Sequence, residues 1–165
     1  MRQIDHSLRH IDLVAVSTLS HRLAAILAVA YFAALAAILF WPSPVDKPAS
    51  GALTDLIDWL HGHGIPEWLV GYSQIEFSAN ILLFVPFGAI LTLRLHRRLW
   101  WWTVPIAAGV SGLVELAQGA FLPQRFPSLL DVVANTSGAF LGALLVLFIW
   151  SMRRRRALRM AQDPT

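Results

Sequence analysis

The chain has 165 residues, of which 56% are hydrophobic and only 14% are charged, whereas a soluble domain carries about 25% charged residues. This composition excludes an ordinary water-soluble globule and favours a membrane protein. The absence of cysteine excludes disulfides, thiolate zinc sites and iron–sulfur clusters, and the net charge of +3 becomes informative only when the charges are placed along the chain.

Four stretches are apolar enough to cross a bilayer as helices, which takes about 20 residues each. Pro86 lies inside the second stretch and predicts a kinked or tilted span. The third opens with Trp100, Trp101 and Trp102, which is typical of an aromatic belt at a membrane surface. The pattern predicts an all-α polytopic membrane protein, a four-helix transmembrane bundle with spans at residues 23–41, 77–93, 99–116 and 129–150.

The segments between and beyond these stretches are amphipathic or basic rather than uniformly apolar. In the first loop, Leu53, Leu56, Ile57 and Leu60 recur at helical spacing, which predicts a short interfacial helix. Residues 1–22 are weakly amphipathic, and residues 151–165 form a basic tail. The predicted organisation is therefore an N-terminal amphipathic segment at 1–22, a membrane domain at 23–150 and a tail at 151–165.

Basic residues predict the orientation of the spans. Eleven of the thirteen lysines and arginines lie before the first stretch, between the second and third, or after the fourth. Cytoplasmic loops carry such an excess, so both termini are predicted to be cytoplasmic and the loops 42–76 and 117–128 to face outward. The arginines at 153–156 are interpreted as a stop-transfer anchor rather than a nucleic-acid site or a specific lipid switch. Membrane lipids are the expected partners.

Two pairs of polar residues, each with one acid, lie within or at the edge of the third and fourth predicted spans. A carboxylate at this depth costs about 2.5–3.5 kcal/mol and is therefore a functional candidate. Glu115 and Gln118 share one helix face, and Asp131 and Asn135 share another. Both pairs lie on stripes of small residues, which let helices approach closely in lipid. These side chains are therefore expected to face the interior of the bundle.

The predicted topology brings the polar residues to one depth beneath the outer surface. Arg125, the only arginine of the outer loops, suits a bidentate pair with a carboxylate or a phosphate. Two acids and one arginine leave a charge unmatched unless a ligand binds or an acid is protonated; the alternative is that acids and amides bond one another and cap helix ends. The predicted ligand-binding cluster is Asn80, Glu115, Gln118, Arg125, Asp131 and Asn135.

His61 and His63 form an isolated His-x-His pair in the first outer loop. Without a carboxylate at ligand spacing the pair is a weak metal signal. Neither a metal site nor a cofactor is predicted.

Residues 41–145 resemble the VanZ-like family of small bacterial membrane proteins. The likeness rests on combined motifs, each weak alone. The second span matches Asn-x-x-Leu-Phe-x-Pro-x-Gly, the third Glu-x-x-Gln, and the fourth Asp-x-x-x-Asn-Thr-x-Gly-Ala-x-x-Gly. They begin at Asn80, Glu115 and Asp131, and Arg125 lies where the family has a loop arginine. The chain departs from some relatives because Asp46-Lys47 has no histidine three residues later.

The resemblance implies an integral protein of the bacterial plasma membrane, linked in some members to lower susceptibility to teicoplanin-like lipoglycopeptides. Three functions remain open. The first is a module that binds a lipid or envelope-precursor headgroup or an amphipathic drug. The second is an enzyme acting on a lipid-linked envelope precursor with Glu115 or Asp131 as general base. The third is a structural partner in an envelope assembly. The sequence leaves the oligomeric state undetermined.

Overall fold

The computed structural model describes residues 22–40, 50–122 and 127–162. Its elements are α1 (Arg22–Leu39), α2 (Ser50–Gly62), α3 (Tyr72–Arg94), a 3₁₀ helix (Arg97–Trp102), α4 (Thr103–Phe121) and α5 (Leu129–Gln162). Within the described part of the chain, α1, α3, the 3₁₀ helix joined to α4, and α5 are long and apolar enough to cross a membrane. The predicted all-α fold, with four helices long and apolar enough to cross a membrane, is confirmed.

The chain divides into two units, Met1–Leu39 and Phe40–Thr165. In the first unit, α1 is rich in alanine, leucine and isoleucine, which favour a helix in an apolar medium. The second unit contains the other helices and all of the described polar residues of the predicted cluster.

Helix α2 forms where the apolar spacing predicted a helix, and a tight turn follows it. Gly64 adopts a φ of 87°, in the left-handed region that glycine enters without steric cost. The ring nitrogen Nε2 of His61 donates to the carbonyl of Val70 over 2.6 Å, which holds the α2–α3 loop against the end of α2. The location of α2 at a membrane surface stays a prediction.

Helix α5 is the centre of the second unit, because both α3 and α4 pack mainly on it. Glycines allow the α3–α5 backbones to meet. A Cβ atom added at Gly138 or Gly142 would overlap the carbonyl oxygens of Ile81 and Val85, respectively, and one added at Gly88 would overlap Ala139. The small residues predicted to lie at a helix interface therefore have a definite partner, which is α3.

The basic end of this unit lies opposite the start of α5. Thr92 and Thr103 are fully buried and their hydroxyls are 2.9 Å apart, which ties the end of α3 to the start of α4. The guanidinium carbon of Arg97 lies 4.5 Å above the ring of Trp150. Helix α5 continues beyond Trp150 through the arginine run, since arginine, alanine, leucine and methionine all favour helix.

Candidate functional site

The predicted polar residues lie where α5 begins, and Ser128 organises that point. Its side-chain Oγ accepts a hydrogen bond from the backbone N–H of Asp131 over 3.4 Å. This is the Ser-x-x-Asp pattern of a helix N-terminus, in which the hydroxyl satisfies a backbone donor that has no partner within the helix. Asp131 occupies the first turn, where the helix dipole favours an acid.

Glu115 connects the end of α4 to the same point. Its side chain is only 7% exposed, and Oε2 accepts a hydrogen bond from the backbone N–H of Ser128 over 2.7 Å. A bond from an N–H to a carboxylate is short and strong because the acceptor is charged. Glu115 thus faces the protein, as predicted from the small residues on its helix face.

Asn80 connects α3 to the same point. Its Nδ2 donates to Oδ1 of Asp131 over 3.3 Å, in a partly buried position. Asn80 and Asp131 are therefore neighbours, as the shared depth of the two residues predicted. The carboxylates of Glu115 and Asp131 both lie at the N-terminus of α5, where backbone N–H groups and the helix dipole stabilise negative charge.

A second polar contact lies one turn deeper. Asn135 is 2% exposed, and its Nδ2 donates to Oγ of Ser111 on α4 over 2.8 Å. Among the described residues, Oδ1 of Asn135 and Oγ1 of Thr136 are buried without a hydrogen-bond partner. If the oxygen and nitrogen of the Asn135 amide were exchanged, the nitrogen would lack a partner instead of the oxygen, because Ser111 reaches only one of the two atoms.

Gln118 and Arg125 complete the predicted set. Gln118 is 3% exposed and lies one turn beyond Glu115 on α4, so both side chains are in the protein interior. Arg125 lies outside the described residues. The α5 N-terminal cluster consists of Asn80, Ser111, Glu115, Gln118, Ser128, Asp131 and Asn135. That it binds a ligand remains a prediction.

Ser111 and Ser128 are members of this cluster that the sequence did not single out as bonding partners. Ser111 lies four residues before Glu115 and therefore on the same helix face. Ser128 begins a Ser-x-x-Asp pattern directly before an apolar run, a known signature of a helix start. Both signals are present in the sequence, but neither says which side chain each serine bonds.

His61, in the last turn of α2, and His63, just beyond it, bond backbone carbonyls. His61 bonds Val70, and Nδ1 of His63 donates to the carbonyl of Trp59 over 2.7 Å. The rings of Trp59 and His63 lie 4.0 Å apart. The structure describes no group of three or more histidine, aspartate or glutamate side chains able to hold a metal ion within residues 22–40, 50–122 and 127–162.

Comparison with models of known protein families identifies a match. Residues 28–150 match the family model described as VanZ/LLP1, which covers well over half of the chain and all of the α5 N-terminal cluster. No curated protein and no solved structure matches.

Proposed function

The chain is a membrane protein that belongs to the VanZ/LLP1 family, and we propose that its α5 N-terminal cluster binds the polar end of an amphipathic molecule. The candidates are a lipid or envelope-precursor headgroup and a lipoglycopeptide. By holding such a molecule at the outer surface of a bacterial plasma membrane, the protein would lower susceptibility to teicoplanin-like drugs.

The amide of Asn135 is the observation that carries this proposal. Leaving a buried polar atom without a hydrogen bond costs about 1–3 kcal/mol, and Oδ1 of Asn135 has no described partner. A ligand that donates an N–H or O–H to this oxygen removes that cost. Headgroups built from sugars and peptides are rich in such donors.

Two acids lie next to this amide. Carboxylate oxygens are hydrogen-bond acceptors, and those of Glu115 and Asp131 accept from Ser128 and Asn80, respectively. The cluster therefore favours a ligand that donates hydrogen bonds. Arg125 lies three residues before Ser128 in the sequence and is the residue proposed to pair with an anionic group of the same ligand.

The distribution of arginines supports an outward-facing cluster. Arg97 lies at the opposite end of α5, against Trp150, and the run at 153–156 follows. Because basic residues accumulate on the cytoplasmic side, the acidic end is proposed to face outward.

Binding to the purified full-length protein tests the proposal, with teicoplanin and a lipid-linked envelope precursor as probes. Asn135→Ala is expected to weaken binding of at least one probe about tenfold, which equals about 1.4 kcal/mol. Ser137→Ala is the matched control, because the Ser137 hydroxyl bonds the carbonyl of Val133 in its own helix. Equal binding by the two variants and the natural protein would refute the role of Asn135.

Glu115→Gln separates binding from catalysis. The amide keeps an oxygen that can accept from Ser128 but cannot act as a general base. A binding module tolerates this change in part and loses its effect on drug susceptibility with Arg125→Ala. An enzyme loses activity in Glu115→Gln as completely as in Glu115→Ala, and the lipid-linked precursors of the cell change accordingly. Protein abundance in the membrane is measured for each variant.

A further inference from the structure

A groove lies at the end of α5 opposite to the α5 N-terminal cluster. It has a volume of about 540 Å³ and lies between the 3₁₀ helix, which contributes Arg97 and Trp100, and the second half of α5. Small-molecule sites commonly have volumes of about 300–1,000 Å³. The groove is therefore large enough for a headgroup rather than a single ion.

One face of α5 forms the long wall of the groove. The α5 residues that line the groove are Leu147, Trp150, Ser151, Arg154, Arg155 and Leu158. They follow one another at helical spacings of three and four residues and therefore share one face of the helix. This geometry divides the arginine run into two sets. Arg154 and Arg155 line the groove, whereas their neighbours Arg153 and Arg156 do not.

Three guanidinium groups thus surround one space. Arg97 is positioned by stacking over the ring of Trp150 at 4.5 Å, a cation–π contact that leaves its in-plane N–H groups available. None of the residues that line the groove is acidic. The planar guanidinium fork matches the oxygens of a phosphate.

For an α5 that crosses the bilayer from Asp131, the groove lies at headgroup depth. Asp131 and Trp150 are separated by about 28 Å along α5, at a rise of about 1.5 Å per residue, which is close to the thickness of about 30 Å of the hydrocarbon core. Leu147 lies about one turn before Trp150, toward the apolar part of the helix. The groove is therefore apolar at the end that contains Leu147 and basic at the end that contains the arginines. The hydroxyl of Ser151 donates to the carbonyl of Phe148 over 2.7 Å, so its single O–H is already used, whereas the arginines supply charged donors to a phosphate.

We propose that this groove binds the phosphate of an anionic phospholipid. The apolar wall at the bilayer border accommodates the glycerol and the first methylene groups of the acyl chains, and the three arginines hold the phosphate. Free phosphate lacks the apolar part. The groove is separate from the α5 N-terminal cluster, because the two lie at opposite ends of the membrane-spanning part of α5.

Native mass spectrometry of the purified full-length protein tests the site, with phosphatidylglycerol, phosphatidylcholine and inorganic phosphate as three separate probes. Phosphatidylglycerol is expected to bind at least about tenfold more tightly than phosphatidylcholine, and inorganic phosphate is expected not to compete. The double substitution Arg154→Gln/Arg155→Gln is expected to remove most of this preference. The matched control Arg153→Gln/Arg156→Gln removes the same charge from outside the groove and is expected to change it less than about twofold.

Equal losses in the two double variants would show attraction by net charge alone and would overturn the proposal. Equal affinity for the two lipids, or competition by inorganic phosphate, would also overturn it. Trp150→Leu provides an independent measurement, since it keeps every charge but removes the ring under Arg97; it is expected to lower the affinity for phosphatidylglycerol. Probe binding at the α5 N-terminal cluster is expected to remain unchanged in all of these variants.

Discussion

Replacing Gly138 with alanine is expected to force α3 and α5 apart. A Cβ atom at this position would overlap the carbonyl oxygen of Ile81. That oxygen belongs to helix backbone and cannot rotate away as a flexible side chain could. The shift would reach Asn80, the residue next to Ile81, whose hydrogen bond to Asp131 already spans 3.3 Å.

The size of the effect follows from two opposing terms. Alanine is favoured over glycine inside a helix by about 0.5–1 kcal/mol, whereas overpacking a close contact costs about 1–3 kcal/mol. Because the contact is with backbone, the upper half of the overpacking range applies, and the net loss of stability is about 1–2.5 kcal/mol. Gly112→Ala is the matched control, since a Cβ there meets nothing within 4 Å, and it is expected to stabilise by about 0.5–1 kcal/mol.

The assay is unfolding of the purified protein in detergent micelles, followed by circular dichroism as a denaturing detergent is added. Relative to the natural protein, Gly138→Ala is expected to lower the stability and Gly112→Ala to raise it. If Gly138→Ala stabilises the protein as much as Gly112→Ala does, then α3 and α5 do not meet at this glycine.

Three further predictions concern other parts of the molecule. Thr92→Val and Thr103→Val should each destabilise the protein by about 0.6–1.7 kcal/mol, from the average to the largest value measured for hydrogen bonds between membrane helices. The double variant should lose less than the sum in an unfolding double-mutant cycle. Gly64→Ala should destabilise by about 1 kcal/mol because its φ of 87° disfavours a side chain; thermal unfolding measures this, and Gly64→Asn should cost less. Because the chain has no cysteine, Glu67→Cys and Ala157→Cys each introduce a single site for thiol labelling. A membrane-impermeant maleimide should label the cysteine at position 67, but not the one at position 157, in intact cells. The reverse pattern would mean that the proposed topology is inverted.

Much of the helical layout could be predicted from the sequence because a bilayer imposes simple requirements. Apolar length alone predicts a membrane helix, and α3 and α5 accordingly contain the stretches 77–93 and 129–150. Hydropathy is less informative about where a helix stops. It falls at the arginine run after Trp150, but the backbone of α5 remains helical to Gln162 because arginine favours helix.

The candidate site could be predicted only in part. Helical spacing placed Glu115 with Gln118 and Asp131 with Asn135 on common faces, and topology placed Asn80 at the depth of Asp131. The spacing could not assign Ser111 to Asn135 or Ser128 to Glu115. A period of 3.6 residues defines which side chains share a face but not which neighbouring helix that face meets.

The sequence by itself determined that this protein is helical, that four of its helices can cross a membrane, and that it has an acidic and a basic end. Those properties depend on composition and spacing along each segment. Only the tertiary structure decided that Gly138 and Gly142 face α3. It also decided that Asn135 bonds Ser111 and leaves its amide oxygen without a described partner. Likewise, only the tertiary structure placed Arg154 and Arg155 in one groove with Arg97. The rotation of each helix about its axis depends on how small side chains on two different segments fit together, and no single segment contains that information.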